Sequence, residues 1–133
     1  MGKPIACAND SVIAVDTHIV IVPAGPAQIP TPLPHPFNGL LNQQLATSVT
    51  SGGRAVALQG SIATNQPAHI PTPPGVVFQK PPANQGTVAQ GSASVKIEGA
   101  AIARAGDPVR TCNDPADLPV GQIIAFGAVL VGG

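Results

Sequence analysis

The chain has no tryptophan, no tyrosine and only three phenylalanines, so its core cannot rest on large aromatic side chains, each of which buries on the order of 150–250 Å². Charge is scarce too: Asp, Glu, Lys and Arg make up 9% of the residues, against roughly a quarter in an average soluble domain. Solvated charge can protect little of such a surface, and part of it is expected to be covered by a partner. Six basic residues balance six acidic ones, which leaves no cationic excess for phosphate contacts and argues against nucleic-acid binding. No apolar run reaches the roughly 18 residues that a membrane-spanning helix needs. The start, Met1-Gly2-Lys3-Pro4, lacks the apolar core of a signal peptide, and a cytoplasmic origin is the expectation.

Cysteine is limited to Cys7 and Cys112. A disulfide between them would close a long loop, but cytosolic chains keep such thiols reduced, so metal ligation by one of them is expected instead.

What the sequence has in abundance is punctuation, with 16 prolines and 15 glycines in 133 residues. Few windows can hold a three-turn helix without a breaker, which predicts an all-β fold, and the length suits a single domain over residues 1–133. Ser11 to Val22 is rich in β-branched residues. Alternation there puts Ile13, Val15, Thr17, Ile19 and Ile21 on one face and Asp16 and His18 on the other, with Pro23 expected to end the strand. Ala24 to Phe37 carries proline at nearly every second position and suits an extended, polyproline-like arm packed against something else. Leu41 and Leu45 stand at helical spacing, predicting one helical turn within Asn38 to Ala46.

The middle of the chain holds an internal repeat. Ser48 to Ser61 aligns without gaps with Ser94 to Asp107, and each copy reads as strand, glycine turn, strand, around Gly53 and Gly99. Two β-hairpins are expected. A second echo sets Ile29-Pro30-Thr31-Pro32 against Ile70-Pro71-Thr72-Pro73, so proline-rich arms alternate with hairpins. The apolar run Gln122 to Val131 predicts a last strand buried on both faces or at an interface.

His18, His35 and His69 are the three histidines of the chain. With Cys112 they make three imidazoles and one thiolate, the count of a closed tetrahedral zinc shell; iron is the second choice. His35 lies between Pro34 and Pro36, which restrict its backbone. The competing reading is three unrelated surface histidines and one buried thiol. A shell filled by protein leaves no place for an activated water, so the metal would be a structural staple. The carboxylates form no pair that can be placed as acid and base, and there is no Gly-x-Ser-x-Gly elbow. An enzyme is not expected.

The second hairpin and the residues just after it, Ile97-Glu98-Gly99-Ala100-Ala101-Ile102-Ala103-Arg104-Ala105-Gly106-Asp107-Pro108, resemble the signature of PAAR-repeat proteins, the spike tips of contractile injection systems. In that family a glycine turn leads into Ala-Arg-x-Gly-Asp-Pro, and Cys112 stands where such repeats often place a cysteine. The first copy is similar but has Leu58 for the arginine and Ser61 for the aspartate, and Ala101 stands at the signature's proline. These departures suit a phage-tail-like or extracellular particle at least as much as type VI secretion.

The resemblance implies a short β-cone pinned near its vertex by zinc on His18, His35, His69 and Cys112. Its base would cap a trimeric β-helical spike of the VgrG or phage-spike kind, one tip per trimer, and sharpen it for membrane puncture. Assembly would be cytoplasmic, followed by delivery at the particle's tip, with no fused effector domain and an exposed flank on which an effector could dock. The rival expectation is a metal-free β-rich binding or adhesin module with a Cys7–Cys112 disulfide; a zinc hydrolase ranks last.

Overall fold

Strands and connecting loops account for residues 2–133, which the computed structural model describes. In chain order the strands are β1 (Lys3–Pro4), β2 (Ser11–Ala24), β3 (Ala27–Gln43), β4 (Thr50–Ser51), β5 (Arg54–Ala55), β6 (Ile62–Asn65) and β7 (Val77–Phe78). They continue with β8 (Gln85–Val88), β9 (Lys96–Ile97), β10 (Ala100–Ala101), β11 (Pro108–Thr111), β12 (Leu118–Ile124) and β13 (Leu130–Val131). No helix occurs among the described residues. The fold is all-β, as the density of helix breakers requires.

Six strands, β2, β3, β6, β8, β11 and β12, each pair antiparallel with a neighbour on both sides, and the pairing of β12 with β2 closes the ring. Three short segments knit one end of it. The Ala6 N–H donates to the Ala103 carbonyl at 3.0 Å, Ala103 N–H to Ala57 at 3.0 Å, and Ala57 N–H to Ala6 at 2.9 Å. All three alanines are fully buried, and a larger side chain would push this triangle apart. The same turn comes after each one: a side-chain oxygen of Asp10, Ser61 or Asp107 accepts the backbone N–H three residues earlier, at 2.8, 2.9 and 2.8 Å. Within these turns Asn9, Gly60 and Gly106 take positive φ, a conformation glycine adopts freely and asparagine better than most.

Above the triangle three cross-strand pairs face inward: Val12 opposite Gly39, Ala63 opposite Gly86, and Val109 opposite Gly121. A Cβ on Gly39 would lie 2.7 Å from the Thr64 carbonyl oxygen, and one on Gly86 or Gly121 2.9 Å from a methyl group of Val109 or Thr111. The bore is therefore closed by the backbone itself at this level, and the buried Phe37 ring fills the space against Gly39 and Gly86.

Around the triangle sit three two-stranded units, β4–β5, β9–β10 and β1–β13. Gly52-Gly53 and Glu98-Gly99 turn the first two. The third is assembled from opposite ends of the described chain, and its Ile5 N–H to Val129 carbonyl bond matches Val56 to Val49 and Ile102 to Val95.

Several expectations need correcting. Pro23 does not end β2, which pairs onward through Pro23↔Gln28 to Ala24↔Ala27. The proline-rich segment is strand β3 rather than a polyproline arm, in full antiparallel register with β2. Pro30, Pro32, Pro34 and Pro36 occupy alternate positions whose missing N–H faces away from β2, and β6 pairs β3 only from Gly39 onward, so no ladder bond is lost. The predicted helical turn within Asn38 to Ala46 is instead the end of β3, stopped after Gln43 at Gln44, which has φ of 57°. Ile70 to Pro73 lies in the loop between β6 and β7, unlike its echo in β3. The expected last strand is two strands, β12 and β13, separated by a loop in which Phe126 is fully exposed.

Candidate metal centre

Strand β2 turns its polar face inward. Asp16, His18 and Val20 are buried, while Ile13 and Val15 on the apolar face are 47% and 62% exposed. Such burial is costly for a carboxylate and an imidazole unless each finds partners; Asp16 finds His69, Thr111 and Asn113, while His18 faces Cys112 and Asp114. His69 arrives from the loop after β6, its backbone N–H held by Asn84 Oδ1 at 2.8 Å, and Cys112 comes directly after β11.

The potential ligand atoms of Asp16, His18, His69 and Cys112 all lie within 4.8 Å of one another. His69 Nε2 is 2.9 Å from Asp16 Oδ2, Cys112 Sγ is 3.5 Å from the same oxygen, and Cys112 Sγ is 3.7 Å from His18 Nε2. This buried group can hold a metal ion: two imidazoles, a thiol and a carboxylate are a donor set that divalent transition metals accept. An orphan supports the fit. His18 Nδ1 is buried without a hydrogen-bond partner; Asp114 Oδ2 stands 3.4 Å away, the carboxylate–histidine contact that fixes the tautomer of a metal-bound imidazole.

No family model, curated protein or solved structure matches the chain. The reading of the centre therefore rests on its own geometry.

Burial pushes the Cys112 thiol up to about 11, and the Asp16 carboxylate adds to the shift. Burial also lowers the pKa of His18, with His69 adding to the effect against an opposing pull from Asp114. Each shift favours the neutral form, as a water-poor pocket should. A metal at the centre would have to expel the thiol proton, whereas the neutral His18 has a lone pair to offer.

Of the residues singled out by sequence, His18, His69 and Cys112 belong to this group. His35 stands beside it, its ring centroid 5.5 Å from that of His18 and 5.8 Å from that of His69. Both cysteines are free. Cys7 packs with Val56 and Leu58 in one core cluster and Cys112 belongs to another, so the disulfide of the rival expectation does not form. Sequence reasoning missed Asp16, Thr111, Asn113 and Asp114. The available signal was Asp16 itself, two residues from His18 and so on the same face of a strand.

Proposed function

We propose that the chain is the tip of a contractile injection spike, a mechanical cap pinned by a structural zinc ion, with iron as the second choice. The observation that carries this reading is the closed triangle of Ala6, Ala57 and Ala103 with its three surrounding two-stranded units. A chain that repeats the same pairing three times about one point presents a surface that a trimer can meet with all three of its subunits in equivalent contacts. Those units enclose an open apolar hollow of about 340 Å³, lined by Ile5, Val49, Val56, Val95, Ile102 and Val129 among others. A hollow of this kind calls for a covering partner and agrees with the low charge of the chain.

Away from that end the bore closes through the glycine layer and Phe37 to the histidine cluster, and the long β2–β3 hairpin runs on beyond it. That taper supports the short cone which the PAAR resemblance implies. A structural zinc contributes on the order of 10 kcal/mol to a small domain, comparable with the whole stability of an ordinary one, and would compensate for a core poor in aromatics.

The test is co-expression with a trimeric β-helical spike encoded beside this chain, followed by native mass spectrometry. One copy per spike trimer is expected, with binding abolished by Val49→Asp combined with Val95→Asp in the hollow. A folded wild type that forms no complex, or that binds in three copies, refutes the reading.

A further inference from the structure

We propose that Phe126, with Leu130 at the rim of the apolar hollow, forms a lip that grips one chain of the trimeric spike, so that the cap meets its partner by three like contacts and one extra contact. Resting on the spike-tip reading above, this adds to the interface a residue that lies outside the hollow.

The three two-stranded units correspond residue by residue. The carbonyls of Val49, Val95 and Val129 accept the N–H groups of Val56, Ile102 and Ile5, and the pairings Thr50↔Ala55, Lys96↔Ala101 and Leu130↔Pro4 keep the same step. Counting back three residues from the valines sets Phe126 against Ala46 and Ser92. In the first two units this position holds a small buried side chain, and its N–H donates inward, Ala46 to the Val56 carbonyl at 2.9 Å and Ser92 to the Ile102 carbonyl at 2.8 Å. A benzyl group would overpack such a place, and Phe126 is turned out of it, 89% exposed. One residue after the valines the difference recurs: Thr50 and Lys96 are polar, whereas Leu130 is apolar and 63% exposed. The near-threefold end of the molecule is therefore apolar beyond the hollow on one side only.

Phe37 and Phe78 pack against the histidine cluster, so Phe126 is the aromatic ring left without a place in the fold. The occupant follows from its surroundings. Leu118 to Gly133 contains no charged residue, which suits an apolar contact and offers nothing to a charged ligand. Val129 and Leu130 line the hollow, and Phe126 precedes Val129 by three residues in the loop between β12 and β13, so the lip continues the surface that the spike would cover. Aromatic anchors of this kind carry a large share of binding energy at an interface. Symmetry fixes the count: a trimer repeats any pocket on its rim three times, the lip occurs once, and a single spike chain receives it.

The experiment is calorimetric titration of the neighbouring-encoded trimeric spike with wild type, Phe126→Ala and Val15→Ala, the last an exposed apolar residue on the flank of β2. Because both side chains are exposed, thermal melting of the free variants should match wild type. Expected is a loss of affinity of about 10- to 100-fold in Phe126→Ala, none in Val15→Ala, and light-induced cross-linking of Phe126→p-benzoylphenylalanine to the end of a spike chain. Unchanged affinity in Phe126→Ala, while Val49→Asp with Val95→Asp still abolishes binding, overturns the lip and leaves the spike-tip reading intact. A wild type that forms no complex overturns both. A wild type that dimerises alone in sedimentation and becomes a monomer in Phe126→Ala gives the lip a second copy as its occupant, and overturns the assignment to the spike.

Discussion

Proton release on metal binding is a direct consequence of the Cys112 environment. The thiol is pushed up to about 11 by burial and by Asp16, so near neutral pH it is protonated, while a metal takes the thiolate. At about pH 7 roughly four pK units separate the two forms, a cost of about 5 kcal/mol at 1.36 kcal/mol per unit; an ordinary thiol would incur about half of that. Apparent affinity should therefore rise about tenfold per pH unit on account of this one proton, about a hundredfold across two units. In the metal-free protein the sign reverses: the folded state favours the thiol, so its stability is complete below the ordinary value of 9.0 and is lost as pH rises toward about 11. Calorimetric titration with zinc in buffers of different ionisation enthalpy counts the protons. At least one per ion is expected from wild type, and one fewer from Cys112→Ala. Zero release, or the same count in both proteins, would refute the assignment of Cys112 as a thiolate donor.

Gly39→Ala should destabilise the fold by about 1–3 kcal/mol in chemical denaturation, because its Cβ meets the Thr64 carbonyl oxygen at 2.7 Å; Gly132→Ala, with open space around it, should leave stability unchanged. Arg104 holds Asp107 through two hydrogen bonds at 3.1 and 3.0 Å in a buried fork, so Arg104→Ala should cost about 3–5 kcal/mol. The double substitution Arg104→Leu with Asp107→Ser, which copies Leu58 and Ser61 at the equivalent turn, should recover most of that loss in the same assay. The Glu98 carboxyl is held below its usual range chiefly by hydrogen bonds from the Ser48 hydroxyl and backbone, so any stability it contributes is present at neutral pH and fades in acid. Ser48→Ala should return the Glu98 pKa toward its ordinary value in an NMR titration.

Local chemistry made much of this architecture legible from the residues alone. The β-branched alternation of β2 and the glycine turns at 52–53 and 98–99 needed nothing distant to be recognised. Alternation could not say which face of β2 looks inward, because apolar residues on one side ordinarily mark the core. Here Asp16 and His18 are inside, and what makes that possible are Thr111, Asn113 and Asp114, which lie on the far side of the sequence. The third two-stranded unit was hidden for a related reason, since it joins Lys3 and Pro4 to Val131 and Leu130, and a scan for contiguous repeats cannot join residues from the two ends. The histidines were visible through their rarity. Asp16 was not, because short carboxylates so often serve turns.

The prolines of β3 have a consequence beyond register. A β-protein with so few charges lacks the lysines that commonly keep sheet edges from joining strands of other molecules. Ring closure removes most edges, but the outer side of β3 before Gly39 has no partner strand among the described residues. With proline at 30, 32, 34 and 36 that side has carbonyls and no donors where alternate N–H groups would otherwise project. A second chain arriving there cannot complete a ladder, so the segment resists amyloid-like stacking and strand exchange by backbone chemistry instead of charge.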